Sequence, residues 1–281
     1  MNNLALTEYV DLINDYERKK DIKRLLIAFV ILNLIYLFGP FIFKFFHSSM
    51  TKRVLYAIYI ILMGGVTYHF CKTTKTVKHK VKQGWLWILT VFFYLFWLVM
   101  PILSELSNKI ATFKFSFDKT SAIWLTAISA GVIEEFLFRG LLFNICLEYF
   151  AKSKYKFIWT TIITSILFSL MHLVNAIHQS MISTIGQILF AFGYGMLFSY
   201  GRLITNGISI GVFLHIWQDA SPQIITNNLG NTNIRLIFPL ALTEMAFSLL
   251  CVYFYNKKYN QQFGNTEYDT KSTEFDVNAQ E

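Results

Sequence analysis

The chain has 281 residues, 54% of them hydrophobic and only 15% charged, with a formal net charge of +8 and a mean hydropathy of +0.45. Soluble domains carry about 25% charged residues. The repeated apolar runs here approach 20 residues, the length that crosses about 30 Å of hydrocarbon, so a large soluble domain is excluded. The basic residues cluster beside those runs, where they set topology and meet anionic lipid; they do not form a nucleic-acid surface.

Residues 1–24 form a polar lead ending in Arg18, Lys19, Lys20, Lys23 and Arg24, too polar for a cleavable signal peptide. Eight apolar spans follow, at about 25–43, 54–71, 85–104, 121–149, 157–174, 181–200, 204–220 and 236–255. The expected fold is all-α, a polytopic membrane bundle of about eight transmembrane helices. The first three spans (25–104) are separated from the last five (121–255) by SELSNKIATFKFSFDKT. The alternation of Phe113, Phe115 and Phe117 in that segment suits a membrane interface. NNLGNTN, 227–233, reads as an uncharged turn region, and 259–281 as a disordered acidic tail.

With the N-terminus inside, the inner segments before the tail hold 16 Lys and Arg and the outer ones 7. This bias puts both termini in the cytoplasm. Cys71, Cys146 and Cys251 lie in or beside apolar runs without a CxxC pair. They read as packing residues, neither a disulfide framework nor a zinc ribbon.

Ionisable groups inside spans cost at least roughly 2.5–3.5 kcal/mol each on insertion scales. They concentrate in three places: Glu134, Glu135 and Arg139 in GVIEEFLFRG, His172 with Phe168 in FSLMH, and His215 with Asp219 in HIWQD. Such groups turn inward in a bundle, so the three spans are expected to share one polar centre. Residues four apart share a helix face, which pairs Glu135 with Arg139 and His215 with Asp219. Glu134 lies about 100° around the helix and faces elsewhere. The arginine holds one glutamate and leaves the other for chemistry: a general base for water beside a histidine. A second histidine with a polar partner suits an oxyanion or a metal.

Taken singly, His172 and His215 read as packing histidines and Glu135–Arg139 as a structural ion pair. Their recurrence on three spans is what points to function. His47 and His79 read as loop or interface residues, His69 and His178 as reserves, and Glu244 as an isolated structural hydrogen-bonding residue.

EEFLFR fits EExxxR, FSLMH fits FxxxH and HIWQD fits HxxxN/D. In that order, over about 121–220, the chain resembles the CPBP intramembrane proteases, which include the CAAX prenyl endopeptidases and the Abi bacteriocin-immunity proteins. The resemblance implies an intramembrane endopeptidase in which Glu134 and His172 activate water. It implies that Glu135 and Arg139 support the site, and that His215 and Asp219 bind the oxyanion. Asp219 stands where prenyl-protein proteases have asparagine, and a carboxylate repels an oxyanion unless it is protonated or metal-bound. This departure favours a metal or a proton relay, and Abi-type use over CAAX processing. Glu134, His172, His215 and Asp219 are all zinc-ligand types, which leaves Zn²⁺ the candidate cofactor and a metal-free glutamate mechanism its rival.

The implied partners are the lipid bilayer and a peptide or membrane-protein substrate, in peptide maturation or bacteriocin self-immunity, and no nucleic acid. The charge bias places the centre in the outer part of a cell membrane. The Lys-, Asn- and Ile-rich composition suits a low-GC bacterium. The rival readings are a non-proteolytic membrane scaffold or immunity partner on the same fold and, last, a proton-coupled transporter, which predicts matched repeats that the sequence lacks.

Overall fold

The computed structural model describes residues 3–45, 49–77, 81–222 and 234–263. Among them the regular structure is helical throughout. The helices are α1 (Asn3–Phe38), α2 (Ser49–Cys71), α3 (Leu86–Thr112, interrupted at Glu105), α4 (Phe117–Tyr149), α5 (Lys156–Met171), α6 (Met181–Thr205), α7 (Ser209–Asp219) and α8 (Ile234–Phe263). Seven of the described helices are long and apolar enough to cross a membrane, which confirms the polytopic bundle. The eighth, α7, has 11 residues, about 16 Å of helix and too short to span. It packs inside the bundle against α4 and α6.

α4 organises the rest. Half of its most apolar window is buried, against 17% for α1. One apolar cluster joins α1, α2, α4 and α5 through Leu32, Met63, Leu137, Phe138 and Phe168. A second joins α3, α4, α5, α6 and α8 through Phe93, Phe143, Phe157, Leu197, Tyr200 and Cys251. Large apolar side chains such as Ile61 and Ile88 point outward, as lipid-facing helices require. Cys71, Cys146 and Cys251 are buried free thiols.

Several boundaries differ from the sequence reading. The polar lead is no separate unit, because α1 runs unbroken from Asn3 through it. α3 continues to Thr112 and α4 starts at Phe117, so the expected loop shrinks to a short turn. Phe113 and Phe117 are strongly exposed on either side of it. Thr112 fastens the turn: Trp124 Nε1 donates to its Oγ1 at 3.1 Å, and Thr120 Oγ1 donates to its carbonyl at 2.7 Å. α8 extends to Phe263, eight residues past the expected end of its span. The expected tail beyond it, the 227–233 turn, His47 and His79 lie outside the described residues.

Two other departures concern charge. Lys109 and Arg202, both counted as loop residues, are 2% and 1% exposed inside helices. Glu244 is also buried, yet its Oε2 has no hydrogen-bond partner among the described residues. The expectation of a hydrogen-bonded Glu244 therefore fails for that oxygen. Gly193 of α6 faces it, with no side chain to crowd the carboxylate.

Candidate active site

EEFLFR lies in a π-helical stretch, Ala130–Leu142, in the middle of α4. Such wide turns are rare, and those that occur are frequently at functional sites. Two glycines then let α7 approach this stretch. A Cβ on Gly131 would collide with the Ile216 side chain and lie 2.8 Å from its backbone nitrogen. A Cβ on Gly211 would lie 2.9 Å from Glu135 Oε2. This close approach brings His215 of α7 onto the glutamates of α4.

His215 is the hub. Its Nδ1 lies 3.0 Å from Glu135 Oε1. Its Nε2 lies 3.7 Å from Glu134 Oε2 and 3.6 Å from Asp219 Oδ2. Three carboxylates thus surround one imidazole. Arg139 donates through one terminal nitrogen to Glu135 Oε1 at 2.8 Å, and both side chains are fully buried. The Arg139 guanidinium also lies 3.9 Å from the Phe168 ring centroid, a cation–π contact that is stronger where water is excluded.

Phe168 is the first residue of the expected FxxxH pair. Its ring packs edge-on against His172 at 5.3 Å and against His215 at 5.9 Å. His172 caps the end of α5, where the chain tightens into a 3-10 turn, His172–Ile177. Gln187 of α6 anchors that turn by accepting from Asn175 Nδ2 and Gln179 Nε2, both at 2.9 Å. Phe168, His172, Gln187, Tyr194, His215 and Asp219 line a cavity of about 130 Å³.

All seven residues expected at the site are therefore in one neighbourhood. The expected pairings of Glu135 with Arg139 and His215 with Asp219 are both present. Two contacts were not legible in the sequence. Tyr36 of α1 donates its hydroxyl to Glu134 Oε1 at 2.7 Å. Lys109 of α3 is buried beside Trp217, its ammonium 5.8 Å from that ring centroid. Neither span shows an in-membrane charge or motif that would have pointed there; Lys109 reads as a loop cation and Tyr36 as one of 15 tyrosines. His69 and His178 lie elsewhere, His69 beside Phe70 on α2 and His178 after the 3-10 turn.

His215 and two carboxylates offer ligand types for zinc, but the described residues contain no group of three or more His, Cys, Asp or Glu arranged to hold a metal ion. The fit is thus incomplete, and the steps considered below use the chain's own side chains.

No curated protein and no solved structure matches the chain. Residues 116–221 do match a family model, described as Type II CAAX prenyl endopeptidase Rce1-like. The match spans α4 to α7 and contains every motif residue, while Tyr36 and Lys109 lie outside it. The matching model is that of the CAAX branch, on which the Asp219 departure had placed less weight. This match covers well under half of the chain; with the motif residues gathered in a bundle of membrane-length helices, it makes that part of the chain similar to the CAAX (CPBP) intramembrane proteases.

Proposed function

We propose that the chain is a multi-pass intramembrane endopeptidase that hydrolyses a membrane-associated peptide or protein with water activated at Glu134. The observation that carries this reading is the three-carboxylate setting of His215 beside a cavity inside the bundle. A purely structural ion pair needs Glu135 and Arg139 alone. It does not need a second glutamate and an aspartate converging on the same imidazole.

In this reading Tyr36 caps Glu134 Oε1, leaving Oε2 as the base. Oε2 lies 3.7 Å from His215 Nε2, so a water held by this base sits beside the imidazole. The water loses a proton to Glu134, its oxygen bonds to the scissile carbonyl carbon, and that carbonyl becomes an oxyanion. His172 lines the cavity and orients the water. His215, as an imidazolium, donates from Nδ1 to Glu135 and from Nε2 towards the oxyanion. Collapse of the intermediate breaks the C–N bond, and the proton held by Glu134 passes to the departing amine. Arg139 holds the Glu135 carboxylate in place through their 2.8 Å bond.

The site lies where α1, α3 and α5 end and α4 has run half its length. With both termini cytoplasmic, that end of the bundle faces outward in a cell membrane. Peptide maturation and bacteriocin self-immunity both suit such a placement.

The test uses the purified full chain in lipid nanodiscs and a farnesylated peptide ending in a CAAX sequence, with and without a zinc chelator. Cleavage by wild type that is lost in Glu134→Gln supports the reading; loss on chelation would assign the metal-dependent route. Equal rates for wild type and Glu134→Gln would remove Glu134 from the chemistry.

A further inference from the structure

Gln187 of α6 belongs to none of the three motifs, yet it lines the same cavity as His172, His215 and Asp219. Its amide is held at one end only. Which end that is follows from the hydrogens its neighbours have to give. Thr184 Oγ1 donates its single hydrogen to the Ser180 carbonyl at 3.0 Å. It can then only accept, so the Gln179 atom 3.2 Å away is the amide nitrogen. That same nitrogen lies 2.9 Å from Gln187, so the Gln187 atom facing it is the carbonyl oxygen, Oε1. Asn175 Nδ2 donates to this oxygen as well, at 2.9 Å.

Oε1 is thus filled by two donors from the turn that follows His172. Nε2, with two hydrogens to donate, makes no hydrogen bond among the described residues and is not sealed off. The network therefore fixes the amide with its donor end free, on a residue that lines the cavity. A donor so placed takes an acceptor. Backbone groups at membrane depth need partners, because lipid supplies none. A peptide bond is open to attack only where its segment is unwound, and unwinding frees carbonyls that a helix had satisfied.

We infer that Gln187 is a substrate-binding residue, its amide nitrogen donating to a backbone carbonyl of the unwound substrate beside the scissile bond. That the ligand is a peptide rests on the proposed function; the orientation of the amide does not. His215 serves the scissile carbonyl in that reaction, which leaves Gln187 a neighbouring one. The turn carrying His172 and the donor that holds the substrate are then one hydrogen-bonded unit.

The experiment measures binding of the farnesylated CAAX peptide to the full chain in lipid nanodiscs, carrying Glu134→Gln so that it does not cleave. Adding Gln187→Glu keeps an oxygen for Asn175 and Gln179 but replaces the donor end with an acceptor. It is expected to raise Kd about tenfold, with the unfolding midpoint nearly unchanged. Gln187→Met loses both ends and should weaken binding and lower the midpoint together. Kd is read on folded protein, so lost stability does not mask it. A second arm uses peptides in each of which one non-scissile backbone carbonyl is replaced by a methylene. One of them should bind about tenfold more weakly than the parent when Gln187 is present, and no more weakly than the parent to Gln187→Glu. A Kd unchanged by Gln187→Glu, or losses that add for every peptide in the series, would overturn the inference. If wild type cleaves nothing while Gln187→Glu still raises Kd, the protease reading fails and the binding role stands. If Glu134-dependent cleavage is present and Kd is unchanged, the binding role alone fails.

Discussion

Two arginines, each 1% exposed, sit on α4 and α6 and solve the same problem differently. Arg139 meets a carboxylate, Glu135, at 2.8 Å and stacks on Phe168. Arg202 meets oxygens that carry no formal charge: the carbonyls of Gly140 at 3.3 Å and Thr74 at 3.2 Å, and Asn144 Oδ1 at 2.6 Å. Asn144 in turn donates to the carbonyls of Cys71 and Thr73 at 2.9 and 2.7 Å. Asn206, in the left-handed conformation just past α6, accepts from Thr76 N and Val77 N with the same side-chain oxygen. Arg202 and its neighbours thus clamp the connection after α2 onto α4 and α6. Carbonyls suffice for a clamp. A buried carboxylate stands instead at Arg139, beside the place where Glu134 and His215 meet.

Changing each arginine separates the two roles. The largest effect is expected for Arg139→Met, which strands Glu135 in the core at a cost of about 3–5 kcal/mol. Unfolding in detergent should show it. Adding Glu135→Leu should return most of that stability, since apolar replacement of a whole buried pair is often neutral, while cleavage stays absent. Arg202→Met should be milder, about 1–3 kcal/mol for orphaned buried acceptors. No acidic partner exists among its described contacts whose removal could rescue it. Limited proteolysis should then show earlier cutting in 72–77, with the rate per folded molecule nearly kept. If Arg202→Met removed activity without loosening that connection, the division between clamp and chemistry would be wrong.

Smaller changes sharpen the comparison within the site. Tyr36→Phe removes a hydrogen bond to a carboxylate and should cost about 1.5 kcal/mol. Its main readout is kcat, expected to fall about tenfold with KM nearly unchanged, as for a group that orients the base. Gly211→Ala should cost least in stability, about 1 kcal/mol. Its methyl group would press on Glu135 Oε2, so the altered reading should again be kcat. A Gly211→Ala protein with full activity would show that the close approach of α4 and α7 is not needed to set the glutamates.

The motif half of this site was legible because ionisable residues in membrane-length apolar runs are so few. Glu134, Glu135, Arg139, His172, His215 and Asp219 stood out against their spans, and helical spacing paired them correctly. The other half was hidden for two physical reasons. Tyr36 touches Glu134 across 98 residues of sequence, and a single tyrosine in an apolar helix carries no signal of its own. Lys109 and Arg202 resembled loop cations because polar residues near span ends mark boundaries in a hydropathy reading. Their helices run on past those marks. The π-helical stretch of α4 was also invisible, since nothing in the spacing of EEFLFR marks the wider turn.

The most direct measurement compares the peptides released from, and retained in, native membranes holding equal amounts of wild type or Glu134→Gln, profiled by mass spectrometry. The account predicts at least one cleaved product that appears only with wild type, its new terminus marking the bond cut and the membrane face reached. Identical profiles, with the cellular phenotype of the wild type kept by Glu134→Gln, would contradict proteolysis and leave the chain a membrane partner protein on a protease fold.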